Sequence, residues 1–286
     1  IGLGIPAEPL FRSNYLKIKF LHRNLKKNLI EDTKNKRERR ANMELRCCGT
    51  GSTGNAYAIV DDEDILLIEC GISWKKILKM IDYRLSDVRG CLMSHRHIDH
   101  SLCYKKLMES GVPIYTNDET VEYFEVTSGE LMTGLPEKRT INLENKFEIT
   151  PFYVPHDDVP NYAFIIGLSN GSRLLYATDF LLLPYRFKKM RLNHLLIECN
   201  HNDELVDKNE VKFEHSLRGH SSLSVVKEII RTNKTSDLQN IALCHLSEDW
   251  SNPEVMLQEI KKVVGNLVNV EIINSGSIIS LDTIPF

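Results

Sequence analysis

Long apolar runs are missing from this chain. No stretch of its 286 residues approaches the roughly 18 to 20 consecutive apolar residues that span a bilayer, and no signal-peptide block stands near the amino terminus. A soluble, cytoplasmic protein with no membrane partner is expected. Paired cysteines are missing too: there are seven, an odd number, with no CxxC spacing. This excludes a disulfide framework and a thiolate zinc ribbon. Cys70, Cys91, Cys199 and Cys244 fall at strand ends or inside apolar runs, where a reduced thiol packs as a small hydrophobe, so a reducing setting is expected.

The body of the chain also lacks positive charge. Residues 1–42 carry 11 Lys and Arg against 4 Asp and Glu, which leaves 25 against 35 for the remainder. An acidic body of this kind is not a broadly basic nucleic-acid binder; any polyanion must be drawn by local positive charge, by bound metal or by the tail. Nucleotide-binding loops are absent as well. Gly49, Gly51 and Gly54 formally spell GxGxxG, but Ala56 to Val60 reads as a strand where a dinucleotide site needs a helix, and no lysine follows Gly54 to make a P-loop.

What remains is a β-rich text that begins at Met43. Strands are expected at 43–48, 56–60, 65–68, 90–93, 112–116, 147–154, 162–167, 174–177, 194–198, 241–244, 270–273 and 278–281, with the last two finishing one sheet. Helices are expected at 74–81, 102–109, 222–231 and, with proline at its start, 253–264. Strand sets with helices outside predict an α/β fold, a four-layer α/β/β/α sandwich of two similar halves spanning 43–286. Residues 1–42 end in a Lys and Arg run after a loose helical stripe, and two readings compete: a polyanion-binding arm, or an extension outside the fold ahead of a natural start at Met43. The strand pattern immediately after Met43 favours the second.

The informative stretch is Ser94-His95-Arg96-His97-Ile98-Asp99-His100, directly after the apolar Cys91-Leu92-Met93. So many imidazoles would lack partners in an apolar core, so the stretch reads as a metal-binding loop. If it is extended, His95, His97 and Asp99 project to one side and His100 to the other. Imidazole and carboxylate donors suit zinc, manganese or non-haem iron. Further polar residues stand where other apolar strands stop: His156 after Val154-Pro155, Asp179 after Ala177-Thr178, and His245 after Cys244. Each alone reads as a turn residue. Together with the loop they make seven candidate ligands, enough for two metals sharing one carboxylate.

Ser-His-Arg-His-Ile-Asp-His resembles the HxHxDH motif of the metallo-β-lactamase superfamily, and His156, Asp179 and His245 match its later ligand positions in order. Within that superfamily the chain is similar to the WalJ/YycJ-like exonuclease branch, through Gly51-Ser52-Thr53-Gly54-Asn55, Glu198-Cys199-Asn200-His201-Asn202, Gly219-His220-Ser221 and His245-Leu246-Ser247. The resemblance runs from about Met43 to the end. It departs at Ile68-Glu69-Cys70-Gly71, where many members carry aspartate; a longer carboxylate there can orient a ligand imidazole.

The resemblance implies a dinuclear centre of two divalent ions, Zn²⁺ or Mn²⁺. His95, His97 and His156 would hold one; Asp99, His100 and His245 the other; Asp179 would bridge. Two divalent ions against two carboxylates and a bridging hydroxide leave a net charge of about +1, which suits an anionic phosphodiester. Asp99 and His220 would be the catalytic residues, His220 as proton donor to the leaving alkoxide, as a histidine in a Gly-His-Ser segment is in the similar RNase Z proteins. The expected activity is phosphodiester hydrolysis, with DNA ahead of RNA as substrate and exonucleolytic cleavage. Two other readings stay open: a small-molecule hydrolase such as a cyclic-nucleotide phosphodiesterase, and a catalytically silent metal-binding protein. Arg186, Lys188, Lys189 and Arg191 form a cluster that reads either as a phosphate grip or as a solvated face.

Overall fold

A computed structural model describes residues 43–127, 131–206 and 219–282. The expectation that residues 1–42 lie outside the fold falls on residues outside the described ones.

The first sheet is built from β1 (Glu44–Gly49), β2 (Ala56–Val60), β3 (Ile65–Ile68), β4 (Val88–Leu92), β5 (Ile114–Thr116) and β6 (Met132–Gly134). The second is built from β7 (Ile141–Leu143), β8 (Phe147–Val154), β9 (Asn161–Gly167), β10 (Arg173–Ala177), β11 (His194–Glu198), β12 (Asn240–Cys244) and β13 (Asn269–Ile272). The chain then returns to the first sheet as β14 (Ile278–Ser280). The strand orders are β14-β1-β2-β3-β4-β5-β6 and β13-β12-β11-β10-β9-β8-β7. In both sheets four antiparallel strands lead into three parallel ones, so the two halves share one design.

The four layers follow from side-chain alternation. In β2 and β3, Tyr57, Ile59, Leu66 and Ile68 face the space between the sheets, where they meet Phe164, Tyr176, Leu196 and Ala242. Their neighbours Ala58, Ile65 and Leu67 face outward onto Ile77 and Leu107 of the helices Trp74–Met80 and Tyr104–Glu109. Leu175, Ile197 and Leu243 of the second sheet likewise face Val226, Ile230, Met256 and Ile260 of the helices Leu223–Asn233 and Pro253–Val264. Strands buried on both faces read as unbroken apolar runs, which is why they are visible in the sequence.

Three expectations need correction. The last two strands do not finish one sheet: β13 joins β12, while β14 crosses to pair with β1 (Leu45 opposite Ile279). Short strands β6 and β7 and the helix Asp118–Tyr123 went unanticipated; at three residues each, the strands are too short to show a period. Finally, the histidine stretch is not extended throughout. Ile98–Ser101 is a helical turn, with His97 at its N-cap.

Candidate metal centre

The polar residues gather where the strands end, at the carboxyl edge favoured for sites in α/β sheets. His95 follows β4, His156 follows β8, Asp179 follows β10, Glu198 closes β11 and His245 follows β12. Two of these ends, and the end of β3, bend through left-handed backbone: Asp179 (φ 50°), His245 (φ 53°) and Glu69 (φ 61°). For non-glycine residues that conformation costs on the order of 1 kcal/mol or more each, and it turns the side chains in from the strand direction.

Three groups of donors result, with ligand atoms within 4.8 Å of one another in each: His95, His97, His156 and Asp179; Asp99, His100, Asp179 and His245; and Asp179, Glu198, His220 and His245. Asp179 belongs to all three. The helical turn at Ile98–Ser101 aims Asp99 and His100 into the same space, so the projection of His100 to the other side, expected of an extended segment, does not occur. His100 is fully buried, and its Nε2 stands 3.1 Å from Asp179 Oδ2 and 3.2 Å from Asp99 Oδ2.

Four cluster imidazoles, those of His95, His156, His100 and His245, have a polar group behind them. The Ser94 hydroxyl lies 2.9 Å from His95 Nδ1, and the Gly219 carbonyl 2.9 Å from His156 Nδ1, which leaves the opposite nitrogens facing the cluster. Glu69 stands 3.5 Å from His100 Nδ1 while accepting hydrogen bonds from the Tyr176 hydroxyl (3.0 Å) and the Ser94 amide (3.2 Å). Glu198 accepts from His245 Nδ1 (3.1 Å) and from His220 Nδ1 (2.6 Å). The His220 ring lies nearly parallel to that of His245, at 14° with centroids 5.2 Å apart. Asn55 locks the glycine loop to the helical turn by donating to the Asp99 carbonyl (3.3 Å) and contacting His100 Nε2 (3.1 Å).

The electrostatics divide the cluster. Burial, then the neighbouring His100, pushes His95 well below its ordinary pKa; burial and His156 lower His97. Both present neutral lone pairs. On the other side burial is overcome: Asp179 and Glu69 hold His100 well above its usual value, and Asp179, Asp99 and Glu198 raise His245 to about 10. Burial likewise opposes, and the facing imidazoles outweigh it, in lowering Asp179 and Asp99. Glu198 raises His220 against its burial.

This donor set fits divalent ions. His95 Nε2 lies 2.9 Å and His156 Nε2 3.3 Å from His97 Nδ1, a convergence of imidazole nitrogens that a shared cation satisfies. Buried His245 Nε2 has no hydrogen-bond partner among the described residues.

Other sequence candidates are not drawn in. Arg186, Lys188 and Lys189 are exposed, and Arg191 is held by Asp237 through bonds of 2.6 and 2.8 Å. His201, part of the branch-like segment, forms a bridge with Ser222. Glu198 is the residue to which the sequence reading gave no role. It ends an apolar strand as Asp179 and His245 follow theirs, and that shared position is the signal that could have found it.

No helix among the described residues is long and apolar enough to cross a membrane. The family model of the metallo-beta-lactamase superfamily matches residues 49–193. Exodeoxyribonuclease YycJ of Bacillus anthracis is 26% identical over 238 residues, spanning 78% of this chain and 89% of that protein. Among solved structures, the metallo-beta-lactamase fold protein YhfI from Bacillus subtilis superposes with a TM-score of 0.65 at 20% identity, covering 83% of this chain and 98% of that one. Unliganded yeast PDE1 gives 0.64 at 11% identity, covering 84% and 100%. At those identities the two structures speak for the fold, and with the matched family model they place this chain in the metallo-beta-lactamase superfamily, as a metallo-hydrolase.

Proposed function

We propose that the chain hydrolyses phosphodiester bonds of DNA as an exonuclease, using two divalent ions, zinc or manganese. His95, His97 and His156 hold one ion, Asp99, His100 and His245 the other, and Asp179 is shared. The observation that carries this reading is the membership of Asp179 in all three convergent donor groups, the third of which includes Glu198 and His220. The similarity to an exodeoxyribonuclease over 78% of the chain supports DNA as the substrate. Ions bound there supply a deprotonated water as nucleophile near neutral pH and neutralise charge on the phosphoryl oxygens.

The leaving oxygen still needs a proton. His220 Nδ1 is committed to Glu198, so the proton to be delivered sits on Nε2. Glu198 raises the pKa of His220 against its burial, and its buried carboxylate stabilises the imidazolium as an aspartate does in a catalytic triad. The His220 side chain is 12% exposed, so this donor lies where a substrate can reach it.

The test is hydrolysis of labelled single- and double-stranded DNA by manganese- or zinc-loaded protein, with a cyclic mononucleotide and Asp99→Ala in parallel. Ladder-wise shortening of DNA, absent in Asp99→Ala, is expected. Intact DNA with an opened cyclic nucleotide overturns the reading in favour of a small-molecule phosphodiesterase. His220→Ala should keep its metal and lose about 10²- to 10⁴-fold in rate; loss of metal instead would make His220 a ligand.

A further inference from the structure

A groove of about 870 Å³ is lined by His220 and His245, by Thr50–Thr53 and Ser247–Ser251, and by Asn274. This is the size of a small-molecule site. Its walls include the apolar side chains of Leu246, Trp250 and Ile272, with Asn200 and Ser247 offering polar edges. It is rigidly tied to the metal cluster, because the Thr50 hydroxyl accepts from the His245 amide (2.8 Å) and from the Tyr57 hydroxyl (2.9 Å). The charge of this groove is wrong for a sugar-phosphate chain. Glu248, Asp249 and Glu271 line it and, among the described residues, no lysine or arginine does. A groove that is acidic and partly apolar, yet adjoins a phosphodiester centre, suits the neutral part of the substrate, a nucleobase.

The missing positive charge lies on the far side of one turn. A second groove, of about 390 Å³, is lined by Arg46, Lys76 and Lys79 against the single carboxylate Asp82, and the two are neighbours in the chain, with Asn274 lining the first and Ser275 the second. Arg46 already pairs with Asp82 (2.6 Å) and Glu44 (3.1 Å). The side chains of Lys76 and Lys79 are exposed, and neither forms an ion pair among the described residues. The turn between the grooves is pinned to β1: Cys47 donates to the Ser277 carbonyl (3.0 Å), Gly276 to the Cys47 carbonyl (2.8 Å), and the Ser275 hydroxyl to the Cys48 carbonyl (2.9 Å). Thr50 lines the first groove and Cys47 the second, three residues apart in the chain.

We propose that the two grooves form one track for a single DNA strand, with an unpaired base beside His220 and His245 and phosphates further along the strand held by Lys76 and Lys79. The proposal rests on the DNA reading above and adds to it a strand preference and two binding residues remote from the metals. In a duplex each base is stacked on its neighbours and paired to its partner, so a single base cannot enter the first groove, and an unpaired end is required. Sequence preference should be weak, because the lysines meet phosphate, which carries no base information.

The experiment is binding of end-labelled, hydrolysis-resistant phosphorothioate oligothymidylates of two, four and eight nucleotides to the metal-loaded full chain, by fluorescence anisotropy over a range of salt. The wild type should gain affinity with length, and Lys76→Glu/Lys79→Glu should lose most of that gain, about tenfold at eight nucleotides. Its salt slope should fall by about 1.4, since each single-strand phosphate contact contributes about 0.7. Lys76→Gln/Lys79→Gln separates lost attraction from added repulsion, and an unfolding temperature equal to that of the wild type shows that the variants fold. Unchanged affinity and salt slope in both variants overturn the track, as does a blunt duplex that binds as tightly as the strand. If the strand binds through the lysines but the matching phosphodiester strand stays uncut, the exonuclease reading fails and the track stands. If DNA is cut and the variants bind as the wild type does, the track alone fails.

Discussion

Replacing Gly71 by alanine should dismantle the metal centre while leaving every donor side chain in the sequence. A Cβ at Gly71 would stand 1.6 Å from the Asp99 carbonyl oxygen, 2.0 Å from its carbon and 2.6 Å from the His100 nitrogen. Ordinary contact is about 3.5 Å, so the Asp99–His100 backbone must retreat by about 2 Å. That backbone is held on both sides, by the Asn55 amide donating to Asp99 O (2.7 Å) and the Cys70 amide donating to His100 O (2.9 Å). Two buried hydrogen bonds are broken or distorted, at about 1 to 3 kcal/mol each, for a total of ~2–6 kcal/mol. In a domain of this size that lowers the unfolding temperature by about 4 to 24 °C. The effect on the site is larger, because metal–ligand distances tolerate only about 0.2 Å and Asp99 and His100 move together. Metal content by elemental analysis should fall by at least the ion assigned to Asp99, His100 and His245. Gly51→Ala is the matched control: its φ is +120°, but a Cβ there meets nothing within 4 Å, so backbone strain of about 1 kcal/mol is the whole cost and metal is retained. Gly71→Ala protein that keeps full metal and wild-type stability would refute the reasoning.

Glu198→Ala should destabilise the fold by about 3–5 kcal/mol in chemical denaturation, because it leaves the buried imidazoles of His220 and His245 without their shared carboxylate, and it should lower turnover at least as much as His220→Ala. Chelation should lower the unfolding temperature in calorimetry; free metal at 100 times its dissociation constant is worth about 2.7 kcal/mol. Asp64, 2% exposed, bonds Arg89 (2.5 Å) and pairs with Lys146 (2.7 Å), and these cations lower its pKa against the opposing effect of burial. A depressed carboxylate contributes stability that is complete above its unfolded pKa of about 3.9 and is lost as pH falls through the folded value. The stability gap between wild type and Asp64→Asn should therefore be full at neutral pH and close below about pH 4; a gap independent of pH would show that the carboxylate charge is not what the site uses.

Much of this molecule is written locally. The core strands are buried on both faces, so each is an unbroken apolar run bounded by a turn, and β8, β11 and the helix Pro253–Val264 have the bounds expected from the sequence. The donors are legible for a related reason: a histidine or aspartate directly after such a run stands at the edge of the core, where a charge is tolerated only if it is partnered. That signal depends on neighbours in sequence, and a single chain carries it without any knowledge of the fold. Two apolar runs in succession, β13 and β14, do not announce that they belong to different sheets, because pairing partners such as Leu45 and Ile279 are chosen by closure of the sandwich across the whole chain. Likewise only the packed turn Ile98–Ser101, wedged against Gly71, aims His100 inward, and only the left-handed bends at Asp179 and His245 bring their side chains to the same space. Glu198 shows the difference most directly: its place at a strand end is local, but its hold on two imidazoles from 22 and 47 residues away exists only once the second sheet has formed.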